Sequence, residues 1–208
     1  EEAIKAIEVG IDTVAELKEK GYNVFATGEM GIGNTTTSSA VCSVLLDQSV
    51  EKVTGKGAGL TNKDLEHKIE VIKQSIALNQ VDANDPLDVL SKVGGLDIAG
   101  MVGCYIGGAA LQVPVFIDGF ISSVAALIAI RLIPECAPYL FPSHCSNEPA
   151  GHLILDAIGK EPYILANMCL GEGTGAVMGF TIADYAFKAY WELPSFEQTN
   201  FGTYEELN

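Results

Sequence analysis

The sequence predicts an α/β fold: a doubly wound, mostly parallel sheet with helices on both faces. Three observations carry that expectation. Short apolar segments alternate with helical segments along the whole chain. The short segments are continuous apolar runs, VPVFI at 113–117 being the clearest, as strands buried on both faces require. Gly-rich turns follow strand segments and open helices, which is how a parallel chain crosses back over its sheet. The 208 residues suit one α/β domain over 1–194 with a real core, followed by an acidic tail over 195–208.

The elements follow in order. Residues 1–20 carry Ile4, Ile7, Val9, Ile11, Val14 and Leu17 at helical spacing, and Gly21 stops that helix. Residues 22–26 form a short strand, 27–34 a Gly-rich turn and 35–46 a helix of small residues. A second Gly-rich loop covers 53–60. The helix over 61–79 starts at Thr61, a good N-cap with Asp64 three residues on. Helices over 86–93 and 96–111 precede the strand at 113–117, and a helix covers 120–132. A strand over 139–142, a helix over 148–158, a strand over 163–166 and a long helix over 174–191 complete the pattern. The four strands are expected to be neighbours in one parallel sheet.

Charge and composition exclude several classes. The net charge is −15 with 12 Lys and Arg, so the chain lacks the basic surface a nucleic-acid partner or an acidic membrane would need. The apolar stretch 96–133 is interrupted by Asp97, Pro114 and Asp118, so no uninterrupted apolar run reaches the roughly 18 residues of a membrane span. Cys42, Cys104, Cys136, Cys145 and Cys169 are odd in number and show no CxxC spacing, which reads as reduced core thiols. With no signal peptide, a cytoplasmic setting is expected. The chain opens inside a helix without an initiating Met, as a fragment of a longer protein would.

Four turns carry the candidate chemistry. Residues 28–36 read GEMGIGNTT between a strand and a helix. This is close to a P-loop, with Asn34 where the lysine would stand. Without that lysine, triphosphate chemistry is disfavoured. What remains is a turn whose glycines let backbone N–H groups at a helix N-terminus meet one phosphate. A Gly-rich turn without a ligand is the alternative. Residues 171–176 read GEGTGA, placing Glu172 beyond the carboxyl end of a strand, where α/β sheets bind ligands. Such a carboxylate can act as a general base, or simply be a solvated turn residue favoured by the helix dipole. Asp118–Gly119, with Ser122 and Ser123 behind them, and the string SHCSNE at 143–148 lie at the same sheet edge. His144 alone is more often structural than catalytic. Lys56 and Lys68 flank the second Gly-rich loop and could reach a phosphate, although solvated lysines are commoner. The small residues of GGLDIAGMVGCYIGGAAL at 94–111 read as tight backbone packing, or else as a ligand wall.

Taken together, GEMGIGNTTT, GKGAGL, GGLDIAGMVGCYIGGAAL, PVFIDGFISSVAALIA, SHCSNEPAGH and LGEGTGA occur here in one order over nearly the whole chain. In that order they closely resemble the nicotinate-nucleotide:dimethylbenzimidazole phosphoribosyltransferases of cobalamin assembly. The resemblance implies a doubly wound sheet with a small helical domain, and family members longer at the N-terminus. It implies transfer of the phosphoribosyl group of nicotinate mononucleotide to 5,6-dimethylbenzimidazole or a related base, releasing nicotinate. It implies Glu172 as general base, with Glu29, Gly31 and Gly33 at the phosphoribosyl turn. Gly57, Lys68, Ser146 and Gly119 are implied as further substrate contacts. The leaving group is already a cationic ring, so the resemblance implies neither metal nor cofactor. It also implies a homodimer. Two readings stand beside it: a nucleotide-binding module without turnover, and a P-loop-like kinase.

Overall fold

A computed structural model describes residues 1–199 of the chain. Two parallel sheets and their helices form the architecture. The first helix, α1 (Glu2–Glu19), ends before Gly21, whose φ of +95° reverses the chain. Then come β1 (Phe25–Ala26), α2 (Asn34–Leu45), α3 (Val50–Val53), α4 (Asn62–Asn79), α5 (Pro86–Val93) and α6 (Leu96–Ala110). The second half holds β2 (Val115–Ile117), α7 (Phe120–Leu132), β3 (Leu140–Pro142), β4 (His144–Ser146), α8 (Gly151–Ala157), β5 (Ile164–Met168) and α9 (Thr174–Glu192). Among the described residues no helix is long and apolar enough to cross a membrane.

Side-chain caps set the starts of α4 and α5. The Thr61 hydroxyl accepts the Asp64 N–H at 3.2 Å, so α4 begins where the sequence predicts. Asp85 accepts the Leu87 and Asp88 N–H groups at 2.9 and 3.2 Å, and Pro86 follows at the first helical position of α5. Each such cap is worth about 1 kcal/mol.

β1, β2 and β3 pair in parallel, Val115 lying beside both Phe25 and Leu140. Strand alternation sends Val115 and Ile117 to one face and Phe116 to the other. Val115 packs on α6 at Gly108, while Phe116 meets Phe180 of α9 edge-on at 4.9 Å. The first sheet therefore carries helices on both faces, as expected from the sequence.

The predicted single four-stranded sheet needs correction. β5 pairs with β4, the continuation of β3, in a second parallel sheet of two strands. Ser143 is the break. Its N–H donates to Ile117 at 3.0 Å on one side, and its carbonyl accepts the Ile164 N–H at 3.0 Å on the other. Pro142 precedes it and has no N–H for a ladder. The strand order survives, but the ladder steps sideways. β1 is also shorter than the predicted 22–26, α3 and a 3-10 turn over Pro134–Tyr139 were not anticipated, and α8 starts later than 148.

The core lies between these helices and the first sheet, with Val41, Ile72, Ile98, Val102, Leu127 and Ile128 fully enclosed. Each such side chain contributes about 1.5–3 kcal/mol relative to exposure. The small-residue helix α6 is used within the chain, against α1. An added Cβ on Gly10 would strike the Gly100 carbonyl, and one on Gly103 the Ile7 carbonyl. All five cysteines are free thiols. Burial pushes the Cys42 thiol up to about 12. Cys169, expected in the core, is exposed instead, beside the cleft described next. Of the predicted acidic tail, residues 200–208 lie outside the described residues.

Candidate functional site

The carboxyl ends of the strands open onto one cleft of about 600 Å³, the size of small-molecule sites. The turn after β1 builds one wall. Gly31 and Gly33 both hold φ +83°, a left-handed conformation that glycine alone adopts without strain. Gly33 is the N-cap of α2, and no side chain caps that helix among the described residues. Its first backbone amides and the positive end of its dipole are left for an anion. Asn34 does not take a lysine's part there. Its Nδ2 donates to Asp97 Oδ2 at 2.9 Å.

The loop after α3 forms the floor at the same end. Gly57, at φ +55°, packs so close to Thr35 that an added Cβ would lie 2.9 Å from its hydroxyl. Lys68 of α4 is buried and donates to the Gly55 carbonyl at 3.1 Å as well as to Thr35. Burial lowers its pKa, partly offset by the Glu148 carboxylate. Burial raises the pKa of Glu148, against the pull of Lys68 and of the Gly57 amide. Glu148 Oε2 stands in the space a Cβ on Gly55 would fill, so this loop is held between an ammonium and a carboxylate.

The turn between β5 and α9 lies directly beside the turn after β1 and continues that wall. Gly171, Glu172 and Gly173 are consecutive left-handed residues, with φ of +76°, +58° and +80°. Glu172 is exposed to the cleft, and its N–H donates to the Glu29 carbonyl at 2.9 Å. Asp118, from the end of β2, receives backbone amides at the start of α9. His144 is buried, its Nδ1 3.0 Å from the Ser143 hydroxyl and 3.9 Å from Asp118. Burial holds its pKa below 6.5, against the opposing pull of Asp118.

Residues 1–201 match the family model DBI_PRT, described as Phosphoribosyltransferase. The chain belongs to this family. The chain is 53% identical over 99% of its length to the nicotinate-nucleotide–dimethylbenzimidazole phosphoribosyltransferase of Ruminiclostridium cellulolyticum, covering 58% of that protein. It is 52% identical over 98% of its length to the protein of the same name from Acetivibrio thermocellus, again covering 58%. The crystal structure of CobT from Thermus thermophilus matches with a TM-score of 0.88 at 31% identity, over 94% of this chain and 58% of that one. The chain thus spans a little over half the length of these relatives.

The fold gathers most of the residues singled out from sequence. Glu29, Gly31, Gly57, Gly119, Ser146 and Glu172 all line the cleft. Gly33 sits just behind as the α2 cap, and Lys68 stands behind Thr35. Lys56 is exposed and outside the lining. Sequence reasoning named neither Thr35 nor Glu148 as a contact, though both line the cleft near α2, and it missed Met30, Ile32, Phe120 and Leu170, which supply apolar surface. Glu148 had a signal, two residues beyond Ser146 in SHCSNE. The apolar residues had none, because nothing local distinguishes a cleft wall from a core position. Four carboxylates line the cleft, and no lysine or arginine does among the described residues. Such a cleft favours positive charge in its middle and accepts an anion through backbone amides and hydroxyls rather than a lining lysine or arginine.

Proposed function

We propose that this cleft transfers the phosphoribosyl group of nicotinate mononucleotide to 5,6-dimethylbenzimidazole or a related base, giving nicotinate and an α-ribosyl base 5′-phosphate. The observation that carries the reading is the Glu29 and Glu172 turns bonded side by side at one cleft, whose proposed phosphate end is made of uncapped α2 amides. The family and the names of its relatives support it, while the chain itself spans 58% of their length.

The roles follow from charge. The N-terminus of α9 is already taken by Asp118, and that of α2 is not, so the phosphate sits at α2 with Gly31, Gly33, Gly57 and, through Thr35, Lys68 around it. Ribose hydroxyls then fall to Glu29, Ser146 and the Gly119 turn. One benzimidazole nitrogen forms the new bond to the anomeric carbon. The bond to the nicotinate ring breaks, and its electron pair neutralises the cationic ring nitrogen. Glu172 takes the proton from the other benzimidazole nitrogen. The positive charge that develops on the ribose ring is stabilised by the Glu29 and Glu172 carboxylates. Attack opposite the leaving group converts a β-linked donor to an α-linked product.

The test uses the full-length protein, this sequence together with the remaining share of the family's length. It is incubated with nicotinate mononucleotide and a panel of bases, and products are identified by mass. A ribosyl base 5′-phosphate with stoichiometric nicotinate is the expected result. Nucleotide binding without any transfer would leave a binding module.

A further inference from the structure

The three left-handed residues that present Glu172 are an uncommon way to hold a reacting side chain, because the exposed carboxylate has no packing of its own to fix it. Backbone bonds on either side of it do the holding. The Glu172 N–H is tied to Glu29. The next N–H, of Gly173, donates to Asp118 Oδ2 at 3.0 Å. Asp118 Oδ1 accepts the Gly175 N–H at 2.8 Å and the Ala176 N–H at 3.2 Å. Asp118 is 2% exposed, so both oxygens are committed and neither is left for solvent.

We propose that Asp118 is a positioning residue for Glu172: its buried carboxylate grips the turn through Gly173 with one oxygen and fixes it to the frame of α9 with the other. The proposal rests on the reading of Glu172 as the base. The geometry makes two oxygens necessary. Charge-assisted bonds to three amides hold a turn more tightly than neutral ones would. An asparagine keeps the shape but has one oxygen. If that oxygen serves Gly175 and Ala176, its NH₂ faces the Gly173 N–H, two donors meet, and the residue after Glu172 is pushed away. Misplacing a reacting group by about 1 Å costs about 100-fold in rate. Both Asp118 oxygens are bonded to amides of the Glu172 turn and the start of α9, so its loss acts on turnover and leaves the phosphate end intact.

The experiment is a cycle in the full-length protein: Asp118→Asn, Glu172→Gln and both together, with kcat, KM and the Kd of nicotinate mononucleotide measured for each. Asp118→Ser, smaller and free of the donor clash, is carried alongside, and the kinetic comparison uses whichever Asp118 variant keeps the parent's melting temperature. The expected result is a kcat lowered about 10–100-fold with nucleotide Kd unchanged. The double variant should be no slower than Glu172→Gln, because a group that acts through Glu172 has nothing left to position. Losses that multiply in the double variant would overturn the proposal, as would an unchanged kcat in the Asp118 variant while Glu172→Gln is slow. A Glu172→Gln protein with full kcat would instead overturn the base assignment itself, and the positioning role with it.

Discussion

The ammonium of Lys68 donates to the Thr35 hydroxyl at 3.0 Å from behind the cleft wall. Thr35 belongs to the first turn of α2, so a buried positive charge stands behind the amides proposed to hold the phosphate. Lys68→Met removes that charge and leaves Glu148 half-buried without its opposite. Nucleotide KM is expected to rise about 10–100-fold, the worth of a charge-assisted bond, with kcat little changed. Denaturation should show Lys68→Met less stable by about 1–3 kcal/mol, and Lys68→Met with Glu148→Gln partly restored. A double variant no more stable than the single would separate the two charges.

Gly31 stands at φ +83° at the same end. A β-branched side chain there costs at least about 1–2 kcal/mol of backbone strain or moves the turn. Gly31→Val should weaken nicotinate mononucleotide binding at least about tenfold, which calorimetry reads directly. Binding as tight as the parent's would put the phosphate elsewhere.

Glu172 and Glu29 are rival carboxylates, and their turns are bonded to each other. Glu172→Gln keeps shape and loses basicity, so kcat should fall about 10²–10⁴-fold, or about 3–5 kcal/mol of barrier, with nucleotide binding retained. The residual rate should vary less steeply with pH. Glu29→Gln should mainly raise nucleotide KM, since Glu29 sits inside the phosphoribosyl turn. The opposite pattern in steady-state kinetics would exchange the two roles.

His144 predicts a pH dependence. Its folded pKa lies below its ordinary 6.5 because burial disfavours the cation more than Asp118 favours it. The unfolded chain therefore binds this proton more readily, and stability is present above 6.5 and lost as pH falls below it. The loss from one such group is at most about 1.4 kcal/mol per pH unit. Melting temperatures of the parent should fall faster from pH 7 to pH 5 than those of His144→Gln. Parallel curves would show that His144 does not titrate on unfolding.

α9 carries Val177, Met178, Tyr185, Tyr190 and Trp191 exposed to solvent. The small-residue helix α6 is consumed by α1, so α9 is the apolar face left over among the described residues. Association of the full-length protein as a homodimer should cover it. Light scattering is expected to give twice the chain mass, and Trp191→Glu to shift the balance toward monomer. A clean monomer at all concentrations would remove this expectation.

The candidate site was legible in the sequence to the extent that its residues lie in turns with local rules. Gly31, Gly33 and Glu172 stand in Gly-rich strand-to-helix turns, and turn chemistry is read over a few neighbouring residues. Thr61 and Asp85 likewise announce α4 and α5, because a cap is a bond across two or three positions. Lys68 was singled out only as one lysine of two near a loop. Its burial against Gly55 and Thr35, and the solvation of Lys56, depend on how α4 lies on α2, which no local pattern records.

By itself the sequence determined the order of the main helices and strands, their parallel pairing class and the turns that would meet at the sheet edge, since period, caps and glycines act within a few residues of one another. The tertiary structure alone decided that the ladder steps sideways at Ser143, that Glu148 stands opposite Lys68, and that Asp118 closes the N-terminus of α9 while α2 is left open. Two Gly-rich turns of nearly the same composition thereby acquired opposite fates. The physical reason is distance in sequence: Asp118 lies 55 residues from the Gly173 amide it binds, and only the packing of β2 against α9 brings that carboxylate to that helix.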